Sequence, residues 1–223
     1  MIASYTWSKS IDADSGNAVP TRTNQDPYNR RLEKALSDFD RRHVFTISWA
    51  YNTPKLSGYL GNSRVVGVVT DGWEVSGIGR FNTGAPYTIS LGYDNTLTGG
   101  GLDRPNLAGN ISLPDDRTRA QQIAQWFNPA AFVAPPTGIF GNTGRNIGIG
   151  PGSANVDIGM FKSFTNPKGE RWGRLQFRAE VFNVLNQVNL GQPTTTLNAG
   201  ANFGRITTAG SPRIVQFGLK YLF

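Results

Sequence analysis

Cysteine is absent from the 223 residues, and histidine occurs once. Without cysteine there is no disulfide framework and no thiolate chemistry. The chain is compatible with an oxidising periplasm but does not require one. A histidine zinc site or a Ser-His-Asp triad would have to use His43, and the adjacent Arg41-Arg42 suits neither. His43 reads instead as a polar residue at a strand mouth. Long apolar runs are also missing. Hydrophobic residues are 38% of the chain, and no segment approaches the ~18 residues of a membrane helix. A chain like this can span a bilayer only as a barrel, whose strands hide their apolar face by alternation. The formal charge is +7, yet no block of five basic residues and no nucleic-acid motif is present. Nucleic acid is therefore not an expected partner. Scattered arginines on solvated loops account for the charge, and lipopolysaccharide phosphates could meet it.

What the chain does contain is alternation. Val215, Phe217, Leu219, Tyr221 and Phe223 share one face of the last segment, and Gln216, Gly218 and Lys220 the other. Period two over this length predicts a strand with one apolar and one polar side, near the ~9–11 residues that cross a bilayer. Leu175, Phe177, Ala179 and Val181 alternate with Arg174, Gln176, Arg178 and Glu180. Within 154–164, Val156, Ile158 and Met160 oppose Asn155, Asp157 and Gly159. Within 72–82, Trp73, Val75 and Phe81 oppose Glu74 and Arg80. Within 43–52, Phe45, Ile47, Trp49 and Tyr51 share a face. Strands are thus expected near 1–9, 43–52, 72–82, 154–164, 171–184 and 213–223. The first seven residues lack a charged n-region and an apolar h-region, so they read as half a strand and not as a signal peptide.

The connections are unequal. Asn166-Pro167-Lys168-Gly169-Glu170 has tight-turn chemistry, whereas 10–42, 83–153 and 185–212 are too long for structureless loops of a soluble domain. If the last strand ends in the periplasm, these three lie outside the cell and 53–71 and 166–170 lie inside. That asymmetry is the barrel pattern. The 53–71 connection is long for a periplasmic turn, and Val65–Val69 is expected to extend a strand into it. Leu32, Ala35, Leu36 and Phe39 fall at helical spacing, as do Ala120, Ile123 and Ala124, followed by Trp126. Both are expected to be short loop-packing helices.

Other motifs read as structure. Asp12-Ala13-Asp14-Ser15-Gly16 lacks the terminal acidic residue of a calcium loop and reads as a surface turn. Asp38 and Asp40 share its loop. Gly99-Gly100-Gly101 and the glycines from Gly141 to Gly152 lack the Lys-Ser/Thr and helix of a phosphate loop and read as loop punctuation. Asp115-Asp116-Arg117 and Glu170-Arg171 are charged ends of elements. No carboxylate pair suggests an acid and a base, so no enzyme, metal or cofactor is expected.

An ordered set of stretches carries a family likeness. They are 3–12 (ASYTWSKSID), 37–43 (SDFDRRH), 72–78 (GWEVSGI), 103–106 (DRPN), 126–132 (WFNPAAF), 141–146 (GNTGRN), 150–152 (GPG), 177–186 (FRAEVFNVLN) and the terminal aromatic strand. Together they resemble the C-terminal region of Oar-like TonB-dependent transporters, a branch often fused to a carboxypeptidase-regulatory-like domain. The resemblance implies an outer-membrane location, energised uptake by a full-length member, and TonB as partner through regions upstream of this sequence. It also implies that Phe217, Leu219, Tyr221 and Phe223 resemble the signal read by the barrel-assembly machinery. Members have roughly 22 strands around a plug, and even the smallest closed membrane barrels need about eight. With about six strands this chain is expected to be an incomplete, all-β antiparallel barrel portion, inactive in transport by itself. Two alternatives are a non-energised outer-membrane barrel or adhesin, and a soluble β-sandwich whose exposed Trp49 or Trp73 grips a ligand.

Overall fold

The computed structural model describes residues 1–15, 24–26, 28–59, 61, 64–99, 103–165 and 173–223. Six long strands dominate: β1 (Ile2–Trp7), β2 (His43–Asn52), β3 (Trp73–Asn82), β4 (Ser153–Thr165), β5 (Arg174–Phe182) and β6 (Ile214–Leu222). β2 to β6 fall where alternation places them, and β1 lies within the N-terminal stretch read as half a strand. They form one antiparallel meander in chain order, with β1 and β6 at open edges. The sheet does not close into a barrel, and no second sheet of similar size appears among the described residues. The sandwich alternative therefore has no structural support.

The register carries the alternation across the whole sheet. Tyr5, Phe45 and Phe81 lie side by side, as do Trp49, Gly77, Ile158, Val181 and Val215. Met160, Ala179 and Phe217 continue that face. The opposite face carries Thr46, Arg80 and Asn155 in one row, and Phe161, Arg178 and Gly218 in another. Gly77 has a local reason: a Cβ there would sit 2.2 Å from the Trp49 ring, so the indole covers the glycine. The apolar face ends in aromatic residues at both levels. Trp7, Tyr5, Phe45 and Phe81 stand at one end, and Tyr51, Trp73, Phe164, Tyr221 and Phe223 at the other. From Ala154 to Phe164 the strand rises about 33 Å, or about 25 Å after a tilt near 40°, which is the height of an outer-membrane apolar band.

The three long connections gather at one end of the sheet, as the alternating strand directions require. They are not structureless. Short ladders pair Ile11–Asp12 with Ala35–Leu36, Pro86–Tyr87 with Gly148–Ile149, and Asn106–Leu107 with Phe132–Val133. These segments form a folded cap, and the cap holds the hydrophobic core: Tyr87, Ile89, Phe127, Ala131, Phe132 and Phe203. The Phe127 ring meets Phe203 at 5.1 Å and Phe132 at 5.7 Å, both edge-on. Burial raises the Tyr87 phenol above its ordinary range. The sheet's apolar face is exposed along β1 and β6 and at the strand ends, and half-buried along the central strands, whereas the buried core lies in the cap.

Of three local expectations, one holds and two change. The helix expected near residue 120 is present as Arg119–Ala124, with a capping box between Thr118 and Gln121. The helical spacing of Leu32, Ala35, Leu36 and Phe39 instead gives a 3-10 turn at Arg30–Glu33 followed by a strand, because Leu36 pairs with Ile11. Phe39 remains exposed. The valine run expected as strand is a helix, α1 (Arg64–Thr70), which ends at Gly72 with φ +69. Valine favours strands, but this segment has no neighbouring strand to pair with. Asp71 and the Leu56–Tyr59 turn hold it in a helix instead. The expected turn at 166–170, Gly16, Gly100-Gly101 and Glu170-Arg171 lie outside the described residues.

Candidate functional site

Two arginines organise the cap. Arg104 is fully buried and makes a bidentate pair with Glu33: Nη2 to Oε1 at 2.5 Å and Nη1 to Oε2 at 3.0 Å. Gln25 completes the shell. Its Oε1 accepts from the Arg104 amide at 2.8 Å, its own amide donates to Glu33 at 3.1 Å, and its Nε2 donates to Gly141 O. Gly141 is needed for close approach, since a Cβ would lie 2.0 Å from Arg104 O. The stretches 103–106 and 141–146 are therefore two sides of one clamp. Asp103 accepts from the Thr96 amide at 2.7 Å and holds the next loop.

Arg145 is the second centre. Its guanidinium donates to Glu33 O, Ser15 Oγ, Asp38 Oδ1 and Asp12 O, each at 3.1 Å, and also pairs with the Asp12 carboxylate. Asp12 is thus an ion-pair partner in a short ladder and not a free surface turn. Burial opposes its charge, but hydrogen bonds from Ser15 and Ser37 and the Arg145 guanidinium outweigh it and lower its pKa. Asp38 also accepts from Asn146 Nδ2 at 2.6 Å, and Asp40 from the Ser10 amide at 2.6 Å. The glycines from 141 to 152 do more than punctuate the loop: a Cβ at Gly148 would fall 2.2 Å from the Tyr87 ring.

The cap is tied to the sheet through Asn183, which ends β5 at φ +51. Its amide donates to Asp157 Oδ1 at 2.8 Å, and its side chain bonds both Gln187 and Ser211. Asn186, at φ +50, accepts from the Arg213 amide. Those four contacts explain the asparagines of 177–186. His43 begins β2 and its Nδ1 meets Tyr5 OH at 2.8 Å, a strand-mouth role.

Beneath the cap, the polar face carries Glu74, Arg80, Asp157, Arg178, Glu180 and Lys220. Among the described residues none of these makes an ion pair. Arg178 lies 5.2 Å from the Phe161 ring centre, and a cavity of about 260 Å³ beside it is lined by Ser76, Asp157, Gly159, Phe161, Glu180 and Phe182. This surface suits water and polar solutes. Among the described residues no cluster of His, Cys, Asp or Glu could hold a metal ion. The terminal residues Phe217, Leu219, Tyr221 and Phe223 are exposed along the edge strand β6. Phe217 stacks on Phe177 at 6.2 Å, and Tyr221 on Phe223 at 6.2 Å.

Sequence reasoning quoted Arg104 and Arg145 within 103–106 and 141–146 without giving either a role, and did not single out Glu33 or Gln25, because the partners lie far along the chain. It also passed over Lys162. That residue sits on the apolar face of β4, in the row of Trp73 and Phe177, and is buried. Strict alternation after Ile158 and Met160 was the signal that could have marked it.

The family model for an outer membrane beta barrel domain matches residues 1–216. No curated protein and no solved structure matches the chain. Among the described residues no helix is long and apolar enough to cross a membrane. With a match spanning that length, on a sheet whose two faces suit lipid and water, the chain belongs to the outer membrane β-barrel domain family and resides in the bacterial outer membrane.

Proposed function

We propose that the chain is one segment of a TonB-dependent transporter barrel of the Oar-like branch, serving energised uptake of an unidentified ligand and having no enzymatic role. The observation that carries the reading is the open wall. Among the described residues both edges of the six-stranded sheet are unpaired, and unpaired backbone in lipid costs several kcal/mol per group. Further strands must cover β1 and β6. The large, internally clamped cap fits a barrel with long outer loops, and the ordered stretches at 37–43, 103–106, 126–132 and 177–186 supply the family likeness. On this reading the apolar face contacts outer-membrane lipid, the cap lies among lipopolysaccharide, and TonB engages regions outside this sequence. Phe217, Leu219, Tyr221 and Phe223 present the assembly signal to the barrel-assembly machinery. No nucleic acid is involved.

The test is to read the gene upstream of residue 1. A plug domain and a TonB box in frame support the transporter. A complete signal peptide directly before residue 1, with neither of them, refutes energised uptake and leaves the non-energised barrel or adhesin.

A further inference from the structure

Lys162 is the one lysine or arginine placed on the apolar face of the described strands, and the structure explains why it is tolerated there. Its Nζ lies 5.3 Å from the Trp73 ring centre and 5.4 Å from that of Phe164. The same Nζ donates to Asp71 O and Val69 O, at the C-terminal end of α1, where carbonyls and the helix dipole favour a cation. Trp73 Nε1 donates to Val69 O at 2.8 Å. Two side chains of the sheet's apolar face therefore grip the end of α1 and hold it on that side of the sheet. Asp71 closes the unit by accepting from the Ser57 amide at 2.8 Å and Ser57 Oγ at 2.6 Å.

The surface this unit presents is apolar. Val68 and Val69 are 59% and 62% exposed, and Tyr59 is 85% exposed. It lies at the short-connection end, level with the lower aromatic row and continuous with the lipid-facing wall. We propose that the Leu56–Tyr59 turn and α1 form a membrane-interface anchor, with Val68, Val69 and Tyr59 seated in the phospholipid of the periplasmic leaflet and Lys162 as the clamp that fixes α1 at that depth. A periplasmic protein would need a patch facing away from the membrane, whereas this one is held on the membrane side by Trp73 and Lys162. Valine and tyrosine suit the headgroup boundary. The proposal rests on the outer-membrane placement of the wall and not on TonB coupling.

The cysteine-free chain allows clean spin labelling. Val68→Cys, Met160→Cys and Asp116→Cys are labelled in the complete barrel, with further strands covering β1 and β6, in phosphatidylethanolamine/phosphatidylglycerol vesicles, and the accessibility of each label to oxygen and to a water-soluble nickel complex is measured. Met160 reports the wall and Asp116 the solvated cap. The expected result is a Val68 label that favours oxygen over nickel, at a depth shallower than Met160. Lys162→Met should shift the Val68 label at least several-fold toward nickel while leaving Met160 unchanged. A Val68 label as nickel-accessible as Asp116, or one shielded from both reagents by protein, overturns the anchor while the wall reading stands. A Lys162→Met variant with an unmoved Val68 label removes the clamp. A nickel-accessible Met160 label overturns the wall and the anchor together.

Discussion

Arg104→Met tests whether the cap is held by its buried pair. Both side chains are almost inaccessible, at 2% and 0% exposure, and joined by two hydrogen bonds. Removing the guanidinium strands the Glu33 carboxylate where solvent does not reach it. Breaking a buried pair in this way costs about 3–5 kcal/mol. At about 1.4 kcal/mol per factor of ten, the cap should open roughly a hundred-fold to a few thousand-fold more often. Hydrogen exchange of the peptides covering 28–36 and 103–107, in detergent, reads that opening directly. The amides of β2 and β3 should be unaffected, because the loss is local. Adding Glu33→Gln removes the stranded charge but keeps an acceptor for the Gln25 amide, so the double variant should recover about 2 kcal/mol. Acceleration below about ten-fold in the single variant, or no recovery in the double, refutes the clamp.

Further outcomes follow from the same geometry. The Asp12 carboxyl should titrate below its ordinary 3.8, as followed by carbonyl NMR. Because its folded pKa is depressed, the stability it gives the cap is present above the unfolded value and lost as pH falls through the folded one; a midpoint at or above 3.8 contradicts the Arg145 pairing. Met160→Arg should destabilise the inserted sheet by about 2–4 kcal/mol, whereas Ser76→Arg on the polar face should cost little. Urea titration in lipid compares them, and equal costs argue against sidedness. Phe223→Ala combined with Tyr221→Ala should slow assembly in cells, seen as delayed heat-modifiable migration; an unchanged rate removes the assembly role.

The strands were legible because a one-sided sheet writes itself into sequence with period two. Residues as far apart as Phe45, Ile158 and Phe217 fell on the expected face without any knowledge of pairing. The cap was less legible. Arg104 and Glu33 lie 71 positions apart, and Arg145 and Asp12 lie 133 apart. A single sequence shows both as ordinary loop charges. The valine-rich α1 misled for the opposite reason: local propensity favoured a strand, and tertiary ties through Asp71, Trp73 and Lys162 overrode it. Lys162 itself was visible as a break in alternation. Such a break is worth following, because a cation on a lipid-facing row must have a partner.

The most direct test of the central claim is cysteine scanning along β2 with a membrane-impermeant thiol reagent. The sheet predicts period two: labelling at Thr46, Ser48 and Ala50, which face the aqueous side, and protection at Phe45, Ile47 and Trp49, which face lipid. Uniform labelling of all six positions, or labelling of the aromatic row alone, would contradict an outer-membrane barrel wall.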